Sequence, residues 1–500
     1  MSEDGLERRL SPMDAFFLYL EREEQPLHVG AVCVFERRMP FGKFVRTLES
    51  RLHLVPRYRQ RVLFTPLHLG HPTWEVDPDF DIKNHVFRLR LPAPGTDEEL
   101  RQLTGQVFTG VLDRNKPLWE LYFVEGLEDN RTALIVKVHH CMVDGIAGIG
   151  LALVLLDIVP NAPKINKPRF RPTPLPDAKT LCVDALWDNA ADALRHWSRW
   201  QRSFAAYARG FDLLDVARNI KRFAATMGHF LLPFTRMPFN VALNGERIVH
   251  WREYSFADAR AIRTVIGGTV NDVILTALGT AARRLWQETQ GSKRIPQTLR
   301  VLVPVNVRRE TERAALGNHT SLMPVELPLH PEGPVERLRA TDVLMRQLKE
   351  ARVAEAIALM FDVVQGTPAF VQALALGTVG HPIVQETAAT FAAPIPPANL
   401  ICTNVPGPQI PLYSCGHKLL AMYPALPVAL EMGVNLAITS YDQKLFITFI
   451  GDGKAEGELE RVAELFDVAF QELLEAAAVK QAQYVEITRR RHETATEATA

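Results

Sequence analysis

Six prolines fall within PNAPKINKPRFRPTPLP at 160–176, and neither a regular helix nor a central strand tolerates that density. The stretch reads as an extended connector that divides the chain into two parts, each needing a core of its own. Five hundred residues are enough for two such cores. The expected organisation is an N-terminal lobe over 1–160, a connector with an amphipathic helical segment over 161–240, a C-terminal lobe over 241–480 and a polar, disordered tail over 481–500. Strand and helix patterns alternate in both halves, so the fold class is α/β, of the mixed α+β kind.

Within the first part, LWELYFVEGL (118–127) and RTALIVKVHH (131–140) are β-rich runs separated by EDN, a hairpin signal. Asp144 to Leu156 has no strand alternation and reads as a buried helix. Over 182–236, Leu186, Ala190, Ala193, Trp197, Trp200, Phe204 and Tyr207 recur at steps of four and three, interspersed with arginines. Core packing and a membrane-interface surface both fit that stripe. In the second part, 271–289 has a helical pattern, TLRVLVPVNV (298–307) reads as a strand, 433–452 as a hairpin and 458–477 as a helix.

Composition narrows the function. Lysine plus arginine and aspartate plus glutamate number 57 each, which gives no global attraction for nucleic acid. The five cysteines are scattered and form no CxxC pair, which suits a reducing compartment and argues against a structural metal site. The N-terminus has no apolar export segment, and the longest apolar run is too short to span a bilayer, so a cytoplasmic protein is expected.

The sharpest chemical signal is HHCMVDG (139–145). On a regular strand His140 shares one face with Thr132, Leu134, Val136 and Val138, and His139 the other, so the two histidines meet different surroundings. Neutral imidazole can take a proton from an attacking hydroxyl or amine, which makes either a candidate general base. Asp144 could orient a ring or anchor the turn, and Gly145 permits a sharp strand-to-helix turn. Cys141 offers a thiol nucleophile, but no glycine elbow or protease signature accompanies it.

These residues match the HHxxxDG motif of the chloramphenicol acetyltransferase-like superfamily. LSPMDAFFLYLE (10–21), PLWELYFVEGL (117–127), GGTVNDVILTAL (267–278), LRVLVPVNVR (299–308), LGNHTSLMPVELP (316–328) and TNVPGPQ (403–409) resemble, in order, blocks of the bacterial wax ester synthase/acyl-CoA:diacylglycerol acyltransferases. The resemblance spans roughly 10–475; ALNGERIVHW (242–251) is looser than the family's version, and the tail is unmatched.

The resemblance implies two chloramphenicol acetyltransferase-like lobes with an active-site channel between them. It also implies direct transfer of a long-chain acyl group from acyl-CoA, a co-substrate, to diacylglycerol or a long-chain fatty alcohol. His140 takes the role of general base. His139 and Asp144 are motif support of structural character, with Asp144 paired to an arginine for which Arg308 is the motif-based candidate. Asn271 and Asp272 either cap the helix they begin or support the active site. No resident cofactor and no metal are implied; the partners are fatty acyl-CoA, the lipid acceptor and, peripherally, a membrane or lipid-droplet surface. Two other readings compete: a condensation-type or polyketide-linked acyltransferase fed by a carrier-protein thioester, and a non-catalytic lipid-binding or droplet-coating protein.

Overall fold

The computed structural model of the chain describes residues 8–142, 154–163, 165, 174–189, 234–306, 320–350, 353, 368–379 and 397–497. The polypeptide builds two six-stranded sheets, each with its own hydrophobic core. The first sheet runs β11 (Tyr413–Ser414), β12 (His417–Ala425), β1 (His28–Phe35), β6 (Thr132–His139), β5 (Trp119–Glu125), β4 (Val86–Arg90). The second runs β7 (Arg247–Ser255), β14 (Lys444–Asp452), β13 (Val434–Tyr441), β10 (Leu400–Pro406), β8 (Thr298–Asn306), β9 (Thr320–Pro328). A short ribbon of β2 (Gln60–Leu63) and β3 (Thr73–Val76) completes the strands among the described residues.

The hairpin expected at 118–140 is present as β5 and β6, paired antiparallel from Trp119↔Val138 to Val124↔Ala133. Its connection uses left-handed backbone at Asp129 and Asn130, residue types that tolerate it. The 433–452 hairpin is β13 and β14, joined through Asp442 and Gln443, both at positive φ as a twist-matched two-residue turn requires. The 271–289 pattern lies within the helix Val270–Gln290, and the last helix extends over Glu456–Glu497, continuing through the stretch expected to be a disordered tail. Most of the arginine-rich stripe, Ala190 to Tyr207, lies outside the described residues; Leu186 lies inside and is exposed.

The lobes interlock. β12, from the far C-terminal half, pairs antiparallel with β1 from Gly30↔Ala425 to Phe35↔Leu419, so the first sheet draws on both sides of the 161–240 connector. On the other flank α3 (Asp97–Phe108), the next α-helix after α2 (Phe41–Arg51), packs against β7. Gly105 makes that approach: a Cβ there would stand 2.3 Å from the Arg247 carbonyl oxygen. Gly105→Ala gains helix propensity worth up to about 1 kcal/mol. The clash is with strand backbone that cannot swing aside, so a net loss of about 1–3 kcal/mol is expected as a lower denaturation midpoint.

α4 (Phe256–Ile266), α5 (Val270–Gln290), α6 (Pro334–Glu350) and the last helix, Glu456–Glu497, pack together, and the second core is drawn from these helices and the second sheet. No single helix among the described residues is long and apolar enough to cross a membrane. α4 and α5, bent by 93°, pass that test only as a pair, and their Ile262, Val273, Ile274 and Leu278 are buried in the second core.

Candidate active site

Strand β6 stops at His139, and His140 opens a 3-10 turn over His140–Met142. The alternation of faces therefore ends one residue before His140, and the turn rather than the pleat separates the two rings. Backbone bonds clamp both: His139 N–H donates to Leu118 O and His140 N–H to Leu27 O, each at 2.9 Å. The PLW segment and the lead-in to β1 thus grip the motif from either side.

α1 (Pro12–Leu20) supplies the rest of the setting. Ser11 caps it, accepting from Asp14 N–H at 3.1 Å, and Pro12 at the first helical position is pre-set for the turn. The buried Ala15, Leu18 and Tyr19 face the interior. Phe17 stacks on His140 with ring centroids 3.8 Å apart and planes at 17°, and Phe16 meets Phe17 edge-on. Glu21, directly after the helix, turns its carboxylate inward.

Glu21 is the hub of a buried polar cluster that the sequence reading missed. Its Oε1 accepts from Leu27 N–H at 3.1 Å and stands 3.2 Å from His139 Nε2 and 3.5 Å from His28 Nε2; Oε2 accepts from Arg114 at 3.1 Å. His28 and His139 are register partners across β1 and β6. His139 is fully buried, and its Nδ1 accepts from Cys141 N–H at 3.1 Å. Burial alone would raise the Glu21 carboxyl, but His139, His28 and the Leu27 N–H carry it down to about 2, so it stays ionised. An acid ending a helical run is ordinarily a surface residue, so little in the sequence marks Glu21.

His140 differs from its neighbour. Burial first, and then His139, depress its ring to about 4, while an interaction with its own backbone opposes them. Its Nδ1 has no hydrogen-bond partner on any other described residue. The Cys141 thiol is fully buried and pushed well above its ordinary value by desolvation, which leaves it inert as a nucleophile.

The second lobe reaches this place through the 429–432 loop. Ala429 and Leu430 pack with Phe16, Phe17, Leu20 and Leu27, and Leu430 also touches the Leu302, Ala398 and Met432 cluster of the second lobe. Leu430 and Glu431 are left-handed, a costly conformation for such side chains. Gln25 Oε1 accepts from Leu430 N–H at 3.3 Å, and Asn240 Nδ2 donates to Glu431 O at 3.2 Å. His140 thus lies at an apolar seam to which both lobes contribute.

Among the described contacts none joins another expected site residue, His139 aside, to it. Asp144, Gly145 and Arg308 lie outside the described residues. At α5 the N-cap is Thr269, not Asn271 or Asp272: the hydroxyl accepts from Asp272 N–H at 3.2 Å, and Asp272 Oδ2 accepts from Thr269 N–H at 2.7 Å. That reciprocal pair is a capping box, legible in the T-x-x-D spacing. Burial and Asp342 raise the Asp272 carboxyl, Asn271 sits half-buried at the second helical position, and no described contact joins either to His140. A cleft of about 310 Å³ lined by Thr96, Asp97, Arg131 and Lys418 opens at the far end of β6. It is a strand length, roughly 25–30 Å, from His140 and does not contain the motif.

The fold and sequence as a whole are similar to those of known proteins. A family model described as the wax ester synthase/diacylglycerol acyltransferase catalytic domain matches residues 10–274, and the C-terminal domain of the same family matches 316–474. A Mycobacterium tuberculosis (strain CDC 1551 / Oshkosh) protein named as a diacylglycerol O-acyltransferase is 31% identical over 480 residues, covering 94% of this chain and 90% of its own. A second protein of that strain, named likewise, is 29% identical over 491 residues, 96% of this chain and 98% of its own. The fold is similar to that of the wax ester synthase/diacylglycerol acyltransferase from Marinobacter aquaeolei VT8, with a TM-score of 0.64 at 24% identity, covering 94% of this chain and 100% of that one. It is also similar to the first condensation domain of the calcium-dependent antibiotic synthetase, with a TM-score of 0.56 at 16% identity, covering 95% of this chain and 97% of that one. With both family models matched in order along a two-lobed α/β fold, the chain belongs to the wax ester synthase/diacylglycerol acyltransferase family.

Proposed function

We propose that this protein is an acyl-CoA-dependent O-acyltransferase that esterifies diacylglycerol or a long-chain fatty alcohol, with His140 as its general base. The observation that carries the role of His140 is its setting: a ring stacked on Phe17 at an apolar seam, where burial favours its neutral form, while the neighbouring His139 has its nitrogens turned to Cys141 N–H and Glu21. Its Nδ1 is buried without a hydrogen-bond partner among the described residues, and Nε2 is the nitrogen proposed to receive the proton.

In the reaction Nε2 takes the hydroxyl proton of the acceptor as its oxygen bonds to the thioester carbonyl carbon. The tetrahedral intermediate collapses, the carbon–sulfur bond breaks, and the thiolate of CoA recovers the proton from the imidazolium. No acyl-enzyme forms. The apolar seam disfavours water, the competing nucleophile, and holding both substrates there replaces a bimolecular encounter. His139 and Glu21 act as positioning residues, and Asp144 and Gly145 as support for the turn. Residues 1–160 supply the base and 241–480 the facing wall, with attachment to a lipid surface peripheral.

The ring's low pKa sets the pH dependence. A base that titrates near 4 stays unprotonated down to mildly acidic pH, so the acid limb of kcat/KM, which reports the free enzyme, is expected near 4 rather than near 6.5. A limb at 6.5 or above in the pH–rate profile would count against His140 as the base in this environment. The activity itself is tested by supplying long-chain acyl-CoA with diacylglycerol, a fatty alcohol or an amine and resolving the products. Ester formation with either alcohol is expected; amide formation alone would point to condensation chemistry, and no product to a non-catalytic lipid binder.

A further inference from the structure

We propose that three exposed apolar elements gathered around α1 form the face by which this protein rests on a lipid surface. The inference builds on the acyltransferase reading, which requires a lipid acceptor. Its elements are the turn at 66–68, the helix over 178–189 and the helix Ala369–Val379, distant in sequence and adjacent in space.

Each is reversed relative to an ordinary surface element. In the 178–189 helix, Leu181 and Ala185 are buried, and Asp184 and Asp188 pair with Arg8 and Arg9, each at 2.7 Å, which fixes that face to the body. The opposite face presents Lys179, Val183, Leu186 and Trp187 to solvent, with Trp187 75% exposed. The Ala369–Val379 helix contains no charged residue. It buries Ala369 and Gln372, while Phe370 and Leu374, one helical turn apart, are 55% and 70% exposed. Leu67 is left-handed at φ 55° and 84% exposed, so the fold accepts a strained leucine without gaining burial from it. Scattered exposed apolar side chains are ordinary; a cluster drawn from three elements marks an interaction surface.

The chemistry favours lipid over protein. Protein interfaces pair a buried apolar centre with a polar, hydrogen-bonding rim. Here an uncharged helix and a helix carrying a tryptophan with a lysine on its own face flank the same turn, the combination suited to the boundary between acyl chains and headgroups. The face is also continuous with the proposed site. The Ala369–Val379 helix packs on both α1 and the 66–68 turn, and Arg22, next to Glu21, donates to the carbonyl oxygens of Leu376 and Gly377 near its end. α1 in turn carries Phe17 onto His140. An acceptor dissolved in a bilayer would enter beside the base without crossing water.

Flotation of the full chain with phosphatidylcholine vesicles containing diacylglycerol tests the proposal. Trp187→Gln combined with Leu374→Gln is expected to lower vesicle partition about tenfold or more. Leu67→Gly is expected to weaken binding while raising the denaturation midpoint, because it relieves the left-handed leucine. All these variants should acylate a water-soluble alcohol at the wild-type kcat, and His140→Ala should float as the wild type does. The last result keeps docking separate from the catalytic reading. Undiminished flotation of the double variant would overturn the proposal. So would a wild-type dimer in light scattering that the double variant converts to monomer, since the face would then be covered by a second copy.

Discussion

Replacing His140 by alanine is expected to lower kcat by about 10²–10⁴-fold, the range contributed by a positioned general base. The effect should fall on kcat more than on KM, because the lost proton transfer belongs to the transition state. The same variant has a signature in stability that a merely inactive protein would lack. The folded ring titrates near 4 against an ordinary value of 6.5, so as pH falls through 6.5 the unfolded chain takes up a proton that the folded chain refuses. The wild type therefore loses stability between about 6.5 and 4, by roughly 3 kcal/mol from this group. His28, His85, His250 and His417 are depressed in both proteins, so the difference between the two denaturation curves isolates His140. Ester formation by His140→Ala at the wild-type rate would remove it from the mechanism. Equal acid sensitivity of the two proteins would remove its depressed titration.

Glu21→Ala is expected to be the most disruptive single change near the site. It strands the Leu27 N–H, removes the carboxylate that Arg114 pairs with and leaves His139 and His28 without the charge they face. Losing a buried ionised hub of this kind costs roughly 3 kcal/mol. Because Leu27 O also holds His140 N–H, displacement of that segment should carry into catalysis. Glu21→Gln keeps the volume and removes the charge, so it should recover part of the stability and less of the rate. A Gln variant with wild-type kcat would show that packing alone holds the turn.

How much of this was legible in the sequence varies element by element. The two hairpins and the α5 helix were readable because their signals are local: alternation broken by turn residues, and an uninterrupted helical period. The cap of α5 is also written locally, in Thr269 and Asp272, so Asp272 belongs to the cap as the third helical residue and Thr269 is the cap itself. The face argument for His139 and His140 assumed a pleat that ends at His139, and periodicity does not say where a strand stops. The choice of His140 as base came from resemblance to a family, and the geometry around it supplies the physical support. Glu21, Phe17 and Leu430 had no readable signal, since the partners that define their roles, Arg114 and His139, His140, and Phe16 and Phe17, lie on segments roughly a hundred to four hundred residues away. The same holds for β12, whose pattern says strand but not which sheet.

That last strand has a consequence for synthesis. β1 lies between β6 and β12, and the chain emerges with β6 about a hundred residues after β1 but β12 nearly four hundred after it. At 5–20 residues per second the ribosome needs roughly 20–80 s to deliver the second neighbour. Through that interval one side of β1 is an open edge, a template for pairing with other nascent chains. Glycine at position 30, where a Cβ would strike the neighbouring Val136 carbonyl, lets β6, the first neighbour to arrive, fit closely against β1. Expression of this protein should therefore depend on chaperone supply and growth temperature, and fragments that end before 417 should collect in the insoluble fraction.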